Sequence, residues 1–283
     1  MFTFIIAFSV ILSELMADPD PPVGLPPYEF AELYNVTDHR IDLTGWELRC
    51  GTRSWIFPPC SIASRSFLLV TSHEGADSWQ PYGPVCALWT SGTVLANAGQ
   101  TVTLFNAAGG LVAQVDYRPD WYRNTRKKDG GWSLEAMQLP DSPPPDESQP
   151  YIADAASWQA SADPSGGTPG RKNSWDKSTW GLRASLSILP SSVAPRAGTG
   201  LPATIRYTLP EPDYRIQIAV FNRDGQWITD LAQDDIALAQ GEVMWDGTDA
   251  RHHPAPPGLY IVWLKAYRED GHVVVLKRPM VVL

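Results

Sequence analysis

The chain has 283 residues, 43% of them hydrophobic and 19% charged, which fits a folded protein and excludes a disordered one. Its length is comfortable for two domains. A formal net charge of -9 repels nucleic acid over most of the surface, so no nucleic-acid partner is expected.

The apolar opening MFTFIIAFSVIL lacks a basic stretch and is too short to span a bilayer. It reads as a truncated signal segment over residues 1–9, with Ala7-Phe8-Ser9 as a small-x-small cleavage site. A first strand, Val10–Leu15, follows directly. No other stretch approaches transmembrane length, so no membrane span is expected. Five prolines between Asp18 and Tyr28 force an extended connection without helix. The stretch YEFAELYNVTDHRIDLTGWEL (28–48) then gives two short strands. Ala31 and Leu33 fall on one face while Phe30, Glu32 and Tyr34 fall on the other. Such alternation predicts half-buried strands, with one face on the core and one in water. Asn35, Thr37 and Asp38 supply the turn between them.

Trp46–Arg49 and Trp55–Phe57 read as a hairpin, and Phe67–Thr71 as a central strand. Thr93–Ala96 leads through the turn Asn97-Ala98-Gly99 into a strand at Thr101–Phe105. A second turn, Ala107 to Gly110, leads into Leu111–Tyr117. Short strands at roughly ten-residue spacing predict a β-sandwich or barrel. PDSPPPDESQP (140–150) is an extended loop, and the Gly/Pro/Ser-rich stretch 161–174 closes the first half. The expected organisation is a domain at 10–174, a linker at 175–184 and a second domain at 185–283. In the second domain the strands are Leu186–Leu189, Ala203–Leu209, Arg215–Phe221, Trp227–Leu231, Glu242–Trp245, Leu259–Arg268 and Val273–Val282. That number of strands in about 100 residues is the size of an immunoglobulin-like sandwich. The fold class is all-β, two such sandwiches in tandem.

The acids Asp18, Asp20, Glu29 and Glu32, with Glu14 near them in sequence, are the strongest chemical candidates. Converging carboxylates offer the hard oxygen ligands that calcium takes, although their spacing fits no EF-hand loop. The commoner arrangement is a solvated rim. No other cofactor is expected. No HExxH, GxSxG, Walker A or dinucleotide pattern occurs, so no enzyme and no catalytic residue is assigned. Trp79, Trp89, Trp121, Tyr122 and Trp132 lie in or beside loops. Of these, Trp121, Tyr122 and Trp132 would stack on a sugar or anchor a protein if exposed, and would otherwise be core. The basic run Arg123, Arg126, Lys127 and Lys128 is a solvated loop or, less commonly, a phosphate site. Asp246 and Asp249 are expected to cap their own turns. Three cysteines leave at least one unpaired; a Cys60–Cys86 bridge and free buried thiols, Cys50 included, both remain open.

The pieces ILSELMADPDP (11–21), EFAELYN (29–35), IDLTGWEL (41–48) and NAGQTVTLFNAAGGLVAQVDY (97–117) resemble, in order, the bacterial lamin-tail domain of the Bacteroidota type. GGWSLE (130–135), SW (157–158) and GGTPGRKNS (166–174) extend the match. IRYTL (205–209), IAVFNRDGQWITDL (218–231), WDGTDA (245–250) and PPGLYIVWLKAYREDG (256–271) resemble the immunoglobulin-like domain of flagellar hook-capping proteins. Relatives often carry an acidic loop before the IRYTL-like strand, but SSVAPRAGTGLPA (191–203) has no acid. The resemblance implies a secreted or cell-surface, non-catalytic interaction module with an extracellular protein or glycan partner. Two alternatives are an accessory fragment of a secreted nuclease or phosphatase, and a C-terminal domain acting as a secretion or sorting signal.

Overall fold

A computed structural model describes residues 9–90, 93–142, 149–177, 183–195 and 202–283. Apart from Ser9, the expected signal segment lies outside the described residues. So do parts of the loop 140–150, the linker 175–184 and the acid-free loop 191–203. The chain forms two compact units, Met1–Ser161 with Ser165–Asp176, and Ala162–Pro164 with Lys177–Leu283. Both are β-sandwiches, and the described helices are short.

In the first unit the strands are β1 (Val10–Met16), β2 (Phe30–Asn35), β3 (Ile41–Asp42), β4 (Glu47–Cys50), β5 (Arg53–Ile56), β6 (Ser61–Ile62) and β7 (Phe67–Ser72). They continue with β8 (Val85–Trp89), β9 (Gln100–Phe105), β10 (Leu111–Tyr117), β11 (Leu134–Ala136), β12 (Tyr151–Ile152) and β13 (Trp158–Ala160). One sheet runs β13-β11-β1-β2-β7-β8, the other β12-β10-β9-β4-β5, and β3 pairs with β6. Asn35 organises the turn after β2. Its amide nitrogen donates to the carbonyls of His39 at 2.7 Å and Ala63 at 2.9 Å, and its oxygen accepts from the Thr37 N–H at 2.9 Å.

The half-buried strand expected at Phe30–Asn35 is instead buried on both faces: Phe30, Ala31, Glu32 and Leu33 are each 0% exposed. Ala31 and Leu33 continue an apolar face with their cross-strand neighbours Leu15, Leu12, Val70 and Leu68. The opposite face is covered too. At one end Met16, Phe30 and Leu69 pack with Leu25 and with Trp79 of the one-turn helix α1 (Ala76–Trp79). The Phe30 and Trp79 rings meet edge to face at 4.8 Å. Trp175 is also interior, and its indole N–H donates to the Ala160 carbonyl at 2.9 Å.

The second unit is simpler. Its strands are β14 (Ser185–Leu189), β15 (Ser192–Val193), β16 (Ala203–Thr208), β17 (Tyr214–Asn222), β18 (Trp227–Ala237), β19 (Gln240–Trp245), β20 (Gly258–Tyr267) and β21 (Val273–Val282). A three-stranded sheet, β14-β16-β19, faces a five-stranded one, β15-β21-β20-β17-β18. Alternation is clean here: Tyr260, Val262, Leu264 and Ala266 enter the core with Ile216, Ile218, Ile205 and Trp245. Asp246 and Asp249 do cap their turns, accepting from the N–H groups of Thr248 at 3.0 Å and Arg251 at 2.8 Å.

Replacing Trp79 by Ala removes the largest side chain covering the outer end of the six-stranded sheet. The expected loss is about 3–5 kcal/mol in urea unfolding. The Trp79 indole N–H has no hydrogen-bond partner among the described residues, so Trp79→Phe should cost clearly less than Trp79→Ala.

Candidate functional site

The structure separates the acids that the sequence groups together. Glu32 joins Glu14 and, unexpectedly, Glu135, all three 0% exposed. Strand register explains the cluster: Glu14 on β1 lies opposite Glu32 on β2 and opposite Glu135 on β11. The segment 167–174 closes over them and supplies donors. Thr168 N–H donates to Glu14 Oε1 at 2.8 Å, Gly170 N–H to Glu32 Oε2 at 2.6 Å, and Ser174 N–H to Glu135 Oε2 at 2.8 Å. Ser13 and Ser133 hydroxyls add bonds to Glu32 at 2.8 Å and Glu14 at 2.6 Å.

Proton supply in this cluster is limited. The Thr168 Oγ1 lies 3.2 Å from Glu14 Oε2 and 2.8 Å from Glu135 Oε1, but it carries one proton. Both contacts are hydrogen bonds only if one carboxyl donates back. Burial agrees: it raises all three carboxyls above their ordinary range. For Glu14 the neighbouring Glu135 and Glu32 push further up. Glu32 is pushed up to about 8, against the lowering effect of its bonds from Gly170 and Ser13.

Two glycines make the closure feasible. A Cβ on Gly167 would stand 2.7 Å from Glu14 Oε1. Gly170 has φ +77, and a Cβ there would collide with the Tyr82 carbonyl oxygen.

Asp18, Asp20 and Glu29 line a separate cavity of about 310 Å³ with Glu74, Tyr28 and Trp89. Glu29 is committed to the backbone of the segment leading to β9. Its Oε2 accepts from the N–H groups of Val94 at 2.7 Å and Leu95 at 2.9 Å, and burial raises its pKa to about 7. Of the four calcium candidates, Glu32 is therefore apart from the other three, which share this cavity. Among the described residues no group of three His, Cys, Asp or Glu side chains is placed to hold a metal ion.

The aromatic candidates of the first unit are interior rather than ligand-facing: Trp121 is 8%, Tyr122 5% and Trp132 7% exposed. Trp121 packs against Trp158 at 6.3 Å between ring centroids. Trp132 carries the ammonium of Lys127 over its ring at 4.4 Å. That lysine is itself buried and donates to the Ser161 carbonyl at 2.7 Å, while Arg123 donates to the Ala155 carbonyl at 2.7 Å. Arg123 and Lys127 are thus held in separate structural contacts, while Arg126 and Lys128 are exposed.

A half-buried aromatic surface lies instead on the outer face of the second unit. Where Tyr260, Val262 and Leu264 point inward, Ile261 and Trp263 point outward. Register aligns Phe221, Ile261 and Pro279 in one row, and Ala219, Trp263 and Lys277 in the next. Phe221 and Trp263 meet edge to face at 6.3 Å. Together with Arg223, Lys277 and Arg278 these residues line a groove of about 430 Å³. Arg223 reaches Asp224 at 3.5 Å, and Arg278 Nε donates to the Leu186 carbonyl at 2.8 Å. None of the groove's lining side chains is acidic, in a chain whose net charge is -9. The sequence carries a signal for this surface: LYIVWL is apolar at both phases of its alternation, more than one core face requires.

The Lamin Tail Domain family model matches residues 7–119. No curated protein matches the chain. Among solved structures, FlgD from P. aeruginosa is 20% identical over 36% of this chain and 77% of its own, with a TM-score of 0.27. Dimeric latent PorU from Porphyromonas gingivalis is 13% identical over 95% of this chain and 20% of its own, with a TM-score of 0.30. PorZ, a surface component of the type-IX secretion system of the same organism, is 8% identical over 90% of this chain and 35% of its own, with a TM-score of 0.26.

The buried acids set a pH dependence. Burial pushes the Glu32 carboxyl up to about 8, above the ordinary glutamate value of about 4.3, so the folded state holds the extra proton between those values. The stability this contributes is full below the lower value and is lost as pH rises through the upper one. Thermal melting of the full chain should therefore give a higher Tm at about pH 5.5 than at about pH 8.5, and Glu32→Gln should flatten the difference. Gly170→Ala should destabilise at every pH, by about 2 kcal/mol or more, because its strain and clash are not electrostatic.

Proposed function

We propose that the protein is a non-catalytic interaction module of secreted or cell-surface location, of the Bacteroidota type. Its second unit, a hook-capping-like sandwich, docks a carboxylate-bearing protein or glycan on the outer face of β17, β20 and β21. The observation that carries this reading is the groove of Phe221, Ile261 and Trp263 with its basic rim. Aromatic rings offer large contact area at low entropic cost and stack on sugar or peptide surfaces. Cations at the rim steer an acidic partner and set its register.

Support for a non-catalytic role comes from where the titratable groups lie. Glu14, Glu32 and Glu135, whose carboxyls burial raises, are closed inside the first unit, out of reach of a substrate. The Lamin Tail Domain match over residues 7–119 supports an accessory role for that unit. No helix among the described residues is long and apolar enough to cross a membrane.

The test is binding of the full chain to polyglutamate, to alginate and to neutral dextran, read by biolayer interferometry. Binding to at least one acidic polymer is expected, weakening with salt, and none to dextran. Trp263→Ala and Lys277→Glu should each weaken it about tenfold, which is about 1.4 kcal/mol. Unchanged affinity in both variants, or equal binding to dextran, would contradict the reading.

A further inference from the structure

Cys60 and Cys86 come from distant points of the first unit. Cys60 ends the Pro58-Pro59 connection from β5 and immediately precedes β6. Its position is fixed by the main chain, because its carbonyl accepts from the Leu43 N–H at 2.9 Å. Cys86 is the second residue of β8, the edge strand of the six-stranded sheet, and is registered opposite Val70 of β7. The strand that leads to Cys60 and the strand that holds Cys86 also touch, Trp55 of β5 and Trp89 of β8 having ring centroids 6.0 Å apart. β5 and β8 pack together, and the Cys60 and Cys86 side chains meet beside them, each thiol's titration being shifted first by the other.

We propose that Cys60 and Cys86 form a disulfide by exchange with an external low-molecular-weight or protein disulfide, stapling the β5–β6 connection to the edge strand β8.

The chemistry assigns an order. Cys60 is the partly exposed member and Cys86 the buried one. Contact with Cys86 lowers the Cys60 pKa, whereas contact with Cys60 and burial raise that of Cys86. The Cys60 thiolate therefore attacks first. Its sulfur bonds to one sulfur of the donor disulfide, and the donor's S–S bond breaks to release one thiolate. That thiolate takes the Cys86 proton. Cys86 sulfur then attacks Cys60 sulfur and expels the second donor thiolate. The protein pair is oxidised by two electrons and the donor disulfide is reduced to two thiols. Cys50 stays outside this exchange. It lies on β4 in the other sheet, is 2% exposed, and burial pushes its thiol up to about 12.

The test treats the folded full chain with oxidised glutathione, alkylates remaining thiols, and reads intact mass and peptide map. The expected product has lost two hydrogens, takes one alkyl group at Cys50, and links the Cys60 and Cys86 peptides. Its Tm should exceed that of the reduced protein by about 5–10 °C. Cys60→Ser and Cys86→Ser should abolish both changes, and Cys50→Ser should retain both. Three alkylatable thiols after oxidation, a bridge that includes Cys50, or equal Tm values for the two redox forms would overturn the proposal.

Discussion

Three glutamates buried side by side are the constraint around which the first unit is built. Glu14, Glu32 and Glu135 lie on adjacent strands of one sheet, where open water would be the ordinary environment for such a row. Three bare charges there would be prohibitively unfavourable. The chain solves this with backbone N–H groups, serine and threonine hydroxyls, and shared protons. The donors from Thr168, Gly170 and Ser174 come from a segment more than thirty residues beyond the nearest of these acids. That segment is thereby fastened across the sheet, and the GG and PG glycines are what let it come close enough. Asn173 adds to the fastening, donating to the carbonyls of Ser13 and Ala136 at 2.9 Å each.

This closure decides where binding chemistry is available. In the first unit the notable polar and aromatic groups have internal occupations: Glu29 holds a loop, Lys127 sits over Trp132, and Trp121 stacks near Trp158. The second unit has the opposite character. Its core takes one phase of each strand, and the other phase leaves Trp263, Ile261 and Phe221 on an outer face beside Lys277 and Arg278. The first unit is stabilised from within, and the second carries the apolar outer face on which the proposed contact rests.

Much of the architecture was legible in the sequence because it is local. Strands such as Leu111–Tyr117 and Val273–Val282 follow from alternation, and the Asn222-Arg223-Asp224-Gly225 turn follows from its residues. There the Asn222 side-chain oxygen accepts from the Asp224 N–H at 3.0 Å and the Gln226 N–H at 2.9 Å. What was hidden is long-range. Period two places Glu32 opposite Leu33 but cannot say that a distant segment will cover that side, so the polar phase reads as the wet one. The same limit placed Lys127 in a solvated basic run and left Trp121 open between core and ligand platform. Strands β11 and β13 were missed because each is only three residues long, and β8 because it runs parallel to β7 rather than forming a hairpin with it. The outward aromatics of β20 were the reverse case. Their signal is local, an apolar residue at both phases, and it was present in LYIVWL all along.

The central claim is that contact with partners is made by the outer face of the second unit while the first unit stays closed. Hydrogen exchange on the full chain, with and without a saturating acidic polymer that binds it, tests this most directly. The account predicts new protection confined to β17, β20 and β21 around Phe221, Trp263 and Lys277, with exchange in 166–174 unchanged. Protection centred on the first unit, or on none of these strands, would contradict it.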